Sequence, residues 1–104
     1  MLCLLLLSLS VNSFAIILIK DAEITMVANT ASNEDKFVIN TTGGSGVCDQ
    51  AIVFPADATS PAIYERAFAI ALTAFSTGQK VTINTYEDEA ENVCLRATYI
   101  KLVK

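Results

Sequence analysis

A chain of 104 residues is the size of a single domain with one modest hydrophobic core. Its 7 Lys and Arg against 11 Asp and Glu give a net charge of −4, which disfavours nucleic acid, because binding to nucleic acid depends on Lys and Arg that neutralise phosphates. The chain has no histidine, so it has no imidazole base for catalysis and lacks the usual nitrogen ligand of zinc.

The first fifteen residues resemble an export signal. A leucine-rich run is followed by polar residues and then by Ser13-Phe14-Ala15, where small residues occupy the last and third-last positions of a cleavage site. A membrane anchor continuing to Ile19 is the alternative, but the polar residues at 8, 10, 12 and 13 interrupt it, and about 20 mainly apolar residues are needed to span a bilayer. We therefore predict a signal peptide over residues 1–15 and a single mature domain over 16–104, secreted or periplasmic and without a stable membrane anchor.

Three extended segments are predicted in the first half of that domain. The first comprises residues 16–19 and 22–28, the second is residues 36–40, which alternate with Phe37 and Ile39 inward, and the third is residues 51–54, a short strand that Pro55 ends. The intervening run Thr41–Gly46, TTGGSG, lacks the Gly-Lys-Ser/Thr of a phosphate-binding loop. We interpret it as a flexible loop between antiparallel strands.

A helix and a strand come next, and they carry the clearest local signals in the chain. Ser60 is a typical N-cap, Pro61 suits the first helical position, and Gly78 can adopt the left-handed conformation that ends a helix. Two rows of apolar side chains, wider than one packed face, predict a helix buried by more than one layer, and the surplus suggests a homo-oligomer. The rows are Tyr64, Phe68, Ala71 and Phe75, and Ile63, Ala67, Ile70 and Ala74. Residues 80–86 then alternate as a half-buried strand, and residues 95–103 form the last strand, with a slip near Tyr99.

The predicted order is strand, strand, strand, helix, strand, strand. This is the order of the OB-fold, a small Greek-key barrel, so the predicted fold class is mainly β with one helix, an OB-fold-like β-barrel of order β-β-β-α-β-β. After removal of a signal peptide two cysteines remain, Cys48 and Cys94, and an even count in a small exported protein predicts a single disulfide.

The sequence offers little support for an enzyme, a cofactor or a metal. Without histidine, neither cysteine has an imidazole to activate it as a nucleophile. The acidic residues Glu87, Asp88, Glu89 and Glu91 lie in the loop before the last strand, but they lack the spacing of a calcium-binding EF-hand loop. A solvated acidic loop is the interpretation we adopt, although loops at this end of an OB barrel commonly bind ligands.

The segment AFAIALTAFSTGQKVTI, flanked by Cys48 and Cys94, resembles the receptor-binding B subunit of subtilase cytotoxin and related small exported bacterial proteins. The resemblance covers residues 60–83 and includes the turn Ser76-Thr77-Gly78-Gln79. It implies an OB-fold, a pentameric ring and binding to cell-surface glycans. The sugar-contacting residues of that family lie in the half that does not match, so none is transferred to this chain.

Two classes of function are compatible with these observations. The first is a secreted, non-catalytic binding module for carbohydrate, with weak candidate ligand residues on the outward faces of the last two strands: Thr82, Asn84, Tyr86 and Tyr99. The second is a stand-alone exported structural or protein-interaction domain, which needs no small-molecule site. Exposed strands of any function display such residues, so the sequence alone does not choose between the two.

Overall fold

The structure is a computed structural model that describes residues 15–29, 33–49, 51–87 and 90–104. The elements occur in the predicted order of three strands, a helix and two strands. They are β1 (Ile16–Ala28), β2 (Lys36–Thr42), β3 (Ile52–Pro55), α1 (Pro61–Thr77), β4 (Lys80–Thr85) and β5 (Tyr99–Val103), with 3₁₀ turns at Ala56–Ala58 and Val93–Leu95. The mainly β fold with one helix is thus confirmed. The predicted signal peptide lies almost wholly outside the described residues.

The five strands form one antiparallel sheet in the order β3-β2-β1-β4-β5, and the long strand β1 lies at its centre. The first half of β1 pairs with β4, from Ile16 opposite Thr85 to Ala22 opposite Val81, and the second half pairs with β2. Between the halves Asp21 has a φ of 56°, a left-handed conformation that Asp tolerates better than most residues. The register also shifts there, so β1 changes partner at a bulge and the sheet bends around the core.

The two edge strands, β3 and β5, do not pair with each other in the described part of the chain, so the sheet has an open seam between them. One backbone hydrogen bond links β3 to the segment before β5, from Ala97 N to Val53 O at 2.9 Å. The predicted disulfide between Cys48 and Cys94 is confirmed, with a Cα–Cα distance of 5.8 Å, and it links the segments that lead into these two strands. The result is a partly open barrel, an OB-like architecture whose seam is held by a covalent bond.

The glycine-rich run is not the flexible loop that we predicted. Ser45 exchanges two backbone hydrogen bonds with Lys20, at 2.7 and 3.1 Å, and Cys48 N donates to Leu18 O at 3.0 Å. A side chain at Gly44 or Gly46 would collide with the β1 backbone, so glycine is required for this close approach. The run therefore covers the edge of β1 that β2 leaves unpaired, a long-range role that composition does not reveal.

Both predicted ends of α1 are confirmed. Ser60 Oγ accepts a hydrogen bond from Ile63 N at 3.3 Å, and Gly78, with a φ of 77°, donates to Ala74 O at 2.9 Å. The helix packs against β1 and β5 through three buried alanines, Ala67, Ala71 and Ala74. Ile63 and Phe75, one from each predicted apolar row, are exposed in the single chain.

The largest core side chains meet around one ring. Phe37 on β2 stacks on Phe54 of β3, with centroids 4.7 Å apart, and contacts Tyr64 and Phe68 of α1 at centroid distances of 5.4 and 5.0 Å. We call these four residues the Phe37 cluster. It joins the helix to β2 and β3, at the opposite edge of the sheet from β5, so the helix contacts both sides of the sheet's open seam.

The last strand begins later than predicted, at Tyr99 rather than at Leu95. Val93–Leu95 forms a 3₁₀ turn, capped by the Asn92 side chain, which accepts from Cys94 N at 3.1 Å. The disulfide holds this turn beside the segment that precedes β3, so regular pairing with β4 begins only after the cross-link.

Candidate functional site

Three of the four predicted ligand residues lie together on the outer surface of the sheet. Asn84 and Tyr99 are directly opposite each other on β4 and β5, so their side chains share one face. Tyr86 comes just after β4 and its ring centroid lies 6.5 Å from that of Tyr99. Both tyrosines are well exposed, Tyr86 by 53% and Tyr99 by 40%.

Strand β1 adds a residue that the sequence analysis missed. Ile17 is the partner of Asn84 on the other side of β4, so Ile17, Asn84 and Tyr99 form one row across three strands. Ile17 is exposed despite being a large apolar residue. We call Ile17, Asn84, Tyr86 and Tyr99 the tyrosine face. Only the register of β1 against β4 could have revealed the contribution of Ile17.

The polar centre of the tyrosine face is the side-chain amide of Asn84. Its Oδ1 atom is buried and has no hydrogen-bond partner among the described residues. A buried acceptor without a partner costs free energy, typically about 1–3 kcal/mol, and such groups in folded proteins call for an explanation. Because the atom is covered, a ligand donor would supply the missing hydrogen bond only after a side chain above Asn84 moves aside.

Thr82 does not belong to this surface, which corrects the prediction that it lies outward and exposed. It is only 5% exposed, and its hydroxyl accepts a hydrogen bond from Asp21 N at 3.2 Å. The alternation along β4 is correct, but the bulge of β1 at Asp21 covers the outer side of the strand at this point. Thr82 therefore secures the bulge and is not accessible to a ligand.

Side-chain hydroxyls fix the backbone that carries the tyrosines. Tyr86 N donates to Thr98 Oγ1 at 3.2 Å, and Thr85 Oγ1 donates to Arg96 O at 2.6 Å. Thr85 Oγ1 also accepts from Glu87 N at 2.9 Å. Since both neighbours of Tyr86 are held in this way, the tyrosine face is largely preformed rather than part of a loose loop.

The acidic loop between β4 and β5 is partly used for structure. Arg96 contacts both carboxylate oxygens of Glu87, at 2.6 and 3.2 Å, and its third nitrogen contacts Asp57 at 2.9 Å. The hydrogen bonds to Glu87 are the main cause that raises the pKa of Arg96. Asp88 and Glu89, two of the four residues considered for calcium, lie outside the described residues. Within the described chain no group of three metal-ligating side chains occurs.

A wide cleft of about 680 Å³ opens beside Arg96, among the start of β2, the end of β3 with the 3₁₀ turn that follows it, and the segment that precedes β5. It is the region where loops of an OB barrel commonly bind ligands. Its cations are already paired, Arg96 with Asp57 and Glu87, and Lys36 with Glu34 at 3.0 Å. The cleft therefore offers a ligand little uncompensated charge, in contrast to the tyrosine face with its unpartnered acceptor.

Chemically, the tyrosine face can pack against apolar parts of a ligand, donate through two phenol hydroxyls and accept through one amide oxygen. Its four side chains include no carboxylate and no cation. In the described part of the chain, no helix has the length and apolar character needed to cross a membrane.

The chain belongs to a family whose model matches residues 1–104 and whose description is a family of unknown function, DUF5992. Neither a curated protein nor a solved structure matches the chain.

Proposed function

We propose that this member of DUF5992 is an exported, non-catalytic binding module whose tyrosine face binds carbohydrate. The observation that carries the proposal is the buried, unpartnered Oδ1 of Asn84 between Ile17 and Tyr99, with Tyr86 beside them. Two exposed aromatic rings tilted by 57° form a shallow, angled surface rather than a deep pocket. Such a surface suits a glycan that projects from a cell.

The chemistry of a sugar matches the groups available. A pyranose ring presents C–H bonds that pack against the electron-rich face of an aromatic ring, and its hydroxyls are donors for an acceptor such as Asn84 Oδ1. The tyrosine hydroxyls supply further hydrogen bonds at the rim. The likeness of residues 60–83 to a receptor-binding toxin subunit supports the same class of ligand.

Export is part of this proposal. A disulfide persists in secreted and periplasmic compartments and is rare in the cytosol, and the Cys48–Cys94 bond links two loops of the mature domain. We propose that residues 1–15 are the signal peptide that directs the chain there.

Assembly into a homo-oligomer would suit a shallow site. The exposed Ile63 and Phe75 flank the buried face of α1 and give a partner subunit apolar surface to cover. Several weak sites on one closed ring bind a glycan-covered surface far more tightly than one site does. A pentamer is the number that the resemblance implies.

A glycan array probed with the oxidised, folded protein tests the carbohydrate proposal. We expect binding to a subset of glycans, reduced about tenfold or more by Tyr86→Ala, because one stacking contact is lost. Phe75→Ala removes an exposed aromatic residue on α1, outside the tyrosine face, and should leave the affinity per site unchanged when monomeric glycan is titrated.

Binding that survives both Tyr86→Ala and Tyr99→Ala would place the sugar elsewhere. No binding to any glycan by a well-folded protein would instead favour the structural or protein-interaction class.

A further inference from the structure

A second aromatic site lies on the opposite side of the helix from β5. A cavity of about 260 Å³ opens between the N-terminal half of α1 and the start of β2. Its lining consists of three aromatic rings and three polar side chains: Phe37, Tyr64, Phe68, Asn29, Asp35 and Glu65. We call it the aromatic cup. It shares no residue with the tyrosine face, so a ligand in the cup is independent of the proposed function.

The rings of the aromatic cup are held in place by the core. Phe37 is only 1% exposed and forms the floor, supported from behind by the parallel ring of Phe54. Tyr64 and Phe68 are one helical turn apart on α1 and both contact Phe37, so they form adjacent walls. Both are partly exposed, and they present aromatic surface to a ligand that enters.

The rim of the aromatic cup is negatively charged. Asp35 and Glu65 are both exposed, and the Asp35 carboxylate lies near enough to Tyr64 to act on its phenol. Burial, and then the Asp35 charge, raise the pKa of Tyr64 above its ordinary value of 10.0, so the phenol stays protonated at neutral pH. The negative charge beside the three rings therefore comes from the two carboxylates, because the phenol is neutral.

Among the described residues no Lys or Arg lines this cavity, although Asp35 also borders the wider cleft that Lys36 and Arg96 line. Lys36 precedes Phe37 and therefore faces the other side of β2, where it pairs with Glu34. Arg66 comes directly after Glu65 but lines the groove between α1 and β5.

We propose that the aromatic cup binds an organic ammonium group, a quaternary ammonium head such as that of choline. Aromatic faces attract a cation through their quadrupole, quaternary ammonium groups are the ligands for which this contact is used most, and the two carboxylates add direct attraction. The cavity is smaller than the roughly 300–1,000 Å³ of pockets that enclose a drug-sized ligand, so it fits a head group rather than a whole molecule. The source of the group is either a free small molecule or the head group of a zwitterionic lipid.

The test compares choline with its uncharged isostere, 3,3-dimethyl-1-butanol, by NMR titration of the oxidised protein. We expect choline to shift the ring resonances of Phe37, Tyr64 and Phe68 saturably, with an affinity about fivefold or more above that of the isostere. Equal affinity for the two compounds would mean a merely apolar pocket and would overturn the proposal. So would the absence of saturable shifts with choline.

Two matched variants separate charge from fold. Glu65→Gln removes one rim carboxylate while keeping its size, and we expect choline binding to weaken about threefold, with thermal unfolding unchanged. Glu91→Gln makes the same change in the β4–β5 loop and should have no effect on choline binding. If both variants weakened choline binding equally, the effect of Glu65→Gln would come from the net charge of the protein alone. That result would contradict the site.

The two sources are distinguished with vesicles. Sedimentation with phosphatidylcholine vesicles that is competed by free choline would indicate the lipid head group, whereas choline binding without sedimentation would indicate a small molecule. Either outcome supports the ammonium site. Tyr86→Ala should leave both readouts unchanged, so failure of the carbohydrate proposal and failure of this one are separate results.

Discussion

The described part of the chain has two aromatic clusters of opposite character, the Phe37 cluster in the core and the Tyr86–Tyr99 pair on the surface. In the first, Phe37 and Phe54 stack in parallel at 4.7 Å and are almost completely buried. In the second, two rings 6.5 Å apart remain about half exposed. The same side-chain chemistry therefore serves folding in one place and leaves surface available for recognition in the other.

The difference indicates which aromatic residues can be substituted without loss of stability and which cannot. Aromatic rings that contact three elements cannot be altered without cost to the core, whereas the tyrosines are fixed by the backbone beneath them, through Thr85 and Thr98. The aromatic cup lies between these extremes, because its floor belongs to the Phe37 cluster while its rim is exposed. Substitutions can test this ordering directly.

Truncation of the central ring should have the largest effect. Phe37→Ala removes a buried side chain and its contacts with β3 and α1, and we expect the free energy of unfolding to fall by about 3–5 kcal/mol, as measured by urea denaturation. Tyr99→Ala, the matched control on the surface, should change it by less than about 1 kcal/mol. Similar losses for the two variants would contradict the separation of the clusters.

Removal of the disulfide should lower the free energy of unfolding by a similar or slightly smaller amount. It should also weaken ligand binding at the tyrosine face. The bond spans a sequence separation of 46, so the chain-entropy model gives about 4 kcal/mol for the double variant Cys48→Ala, Cys94→Ala. Because the seam between β3 and β5 has few other contacts, we expect glycan affinity to fall as the segment leading to Tyr99 loosens. The ring resonances of the Phe37 cluster should be conserved under native conditions.

If the ring resonances of the Phe37 cluster lost their chemical-shift dispersion in that double variant, the seam would be shown to support the whole barrel. Unchanged glycan affinity would show that the hydroxyl contacts alone hold the tyrosine face.

The smallest expected effect is a gain in the free energy of unfolding rather than a loss. Asn84→Val replaces a buried, unpartnered acceptor with an apolar side chain suited to a strand, and we expect a gain of up to about 1 kcal/mol in stability with loss of glycan binding. Asn40→Val on β2 is the control for strand propensity, because Asn40 is exposed. Thermal unfolding and the glycan titration together check the prediction. A clear loss of stability at Asn84 would mean that its amide has a structural role.

Much of the candidate site was predictable because it depends on local alternation. Asn84 lies on β4 and Tyr86 follows two residues later, just after the strand, and residues two apart along an extended chain share a face whatever the chain pairs with. The prediction for Thr82 used the same rule and was wrong about exposure, since β1 bulges over it at Asp21. Alternation determines the side of a sheet on which a residue lies, but not what covers that side.

Local signals in the chain were enough for the features that neighbouring residues control: the capped helix from Ser60 to Gly78, the order of the strands along the chain, and a disulfide between Cys48 and Cys94. Strand pairing and packing set the remaining features, because they join residues that are far apart in the chain. They bent β1 at Asp21 and placed Ile17 beside Asn84. They also gathered Phe37, Tyr64 and Phe68 into one cup. No local pattern encodes these contacts, since a residue's neighbours in sequence do not specify which distant strand or helix will lie against it.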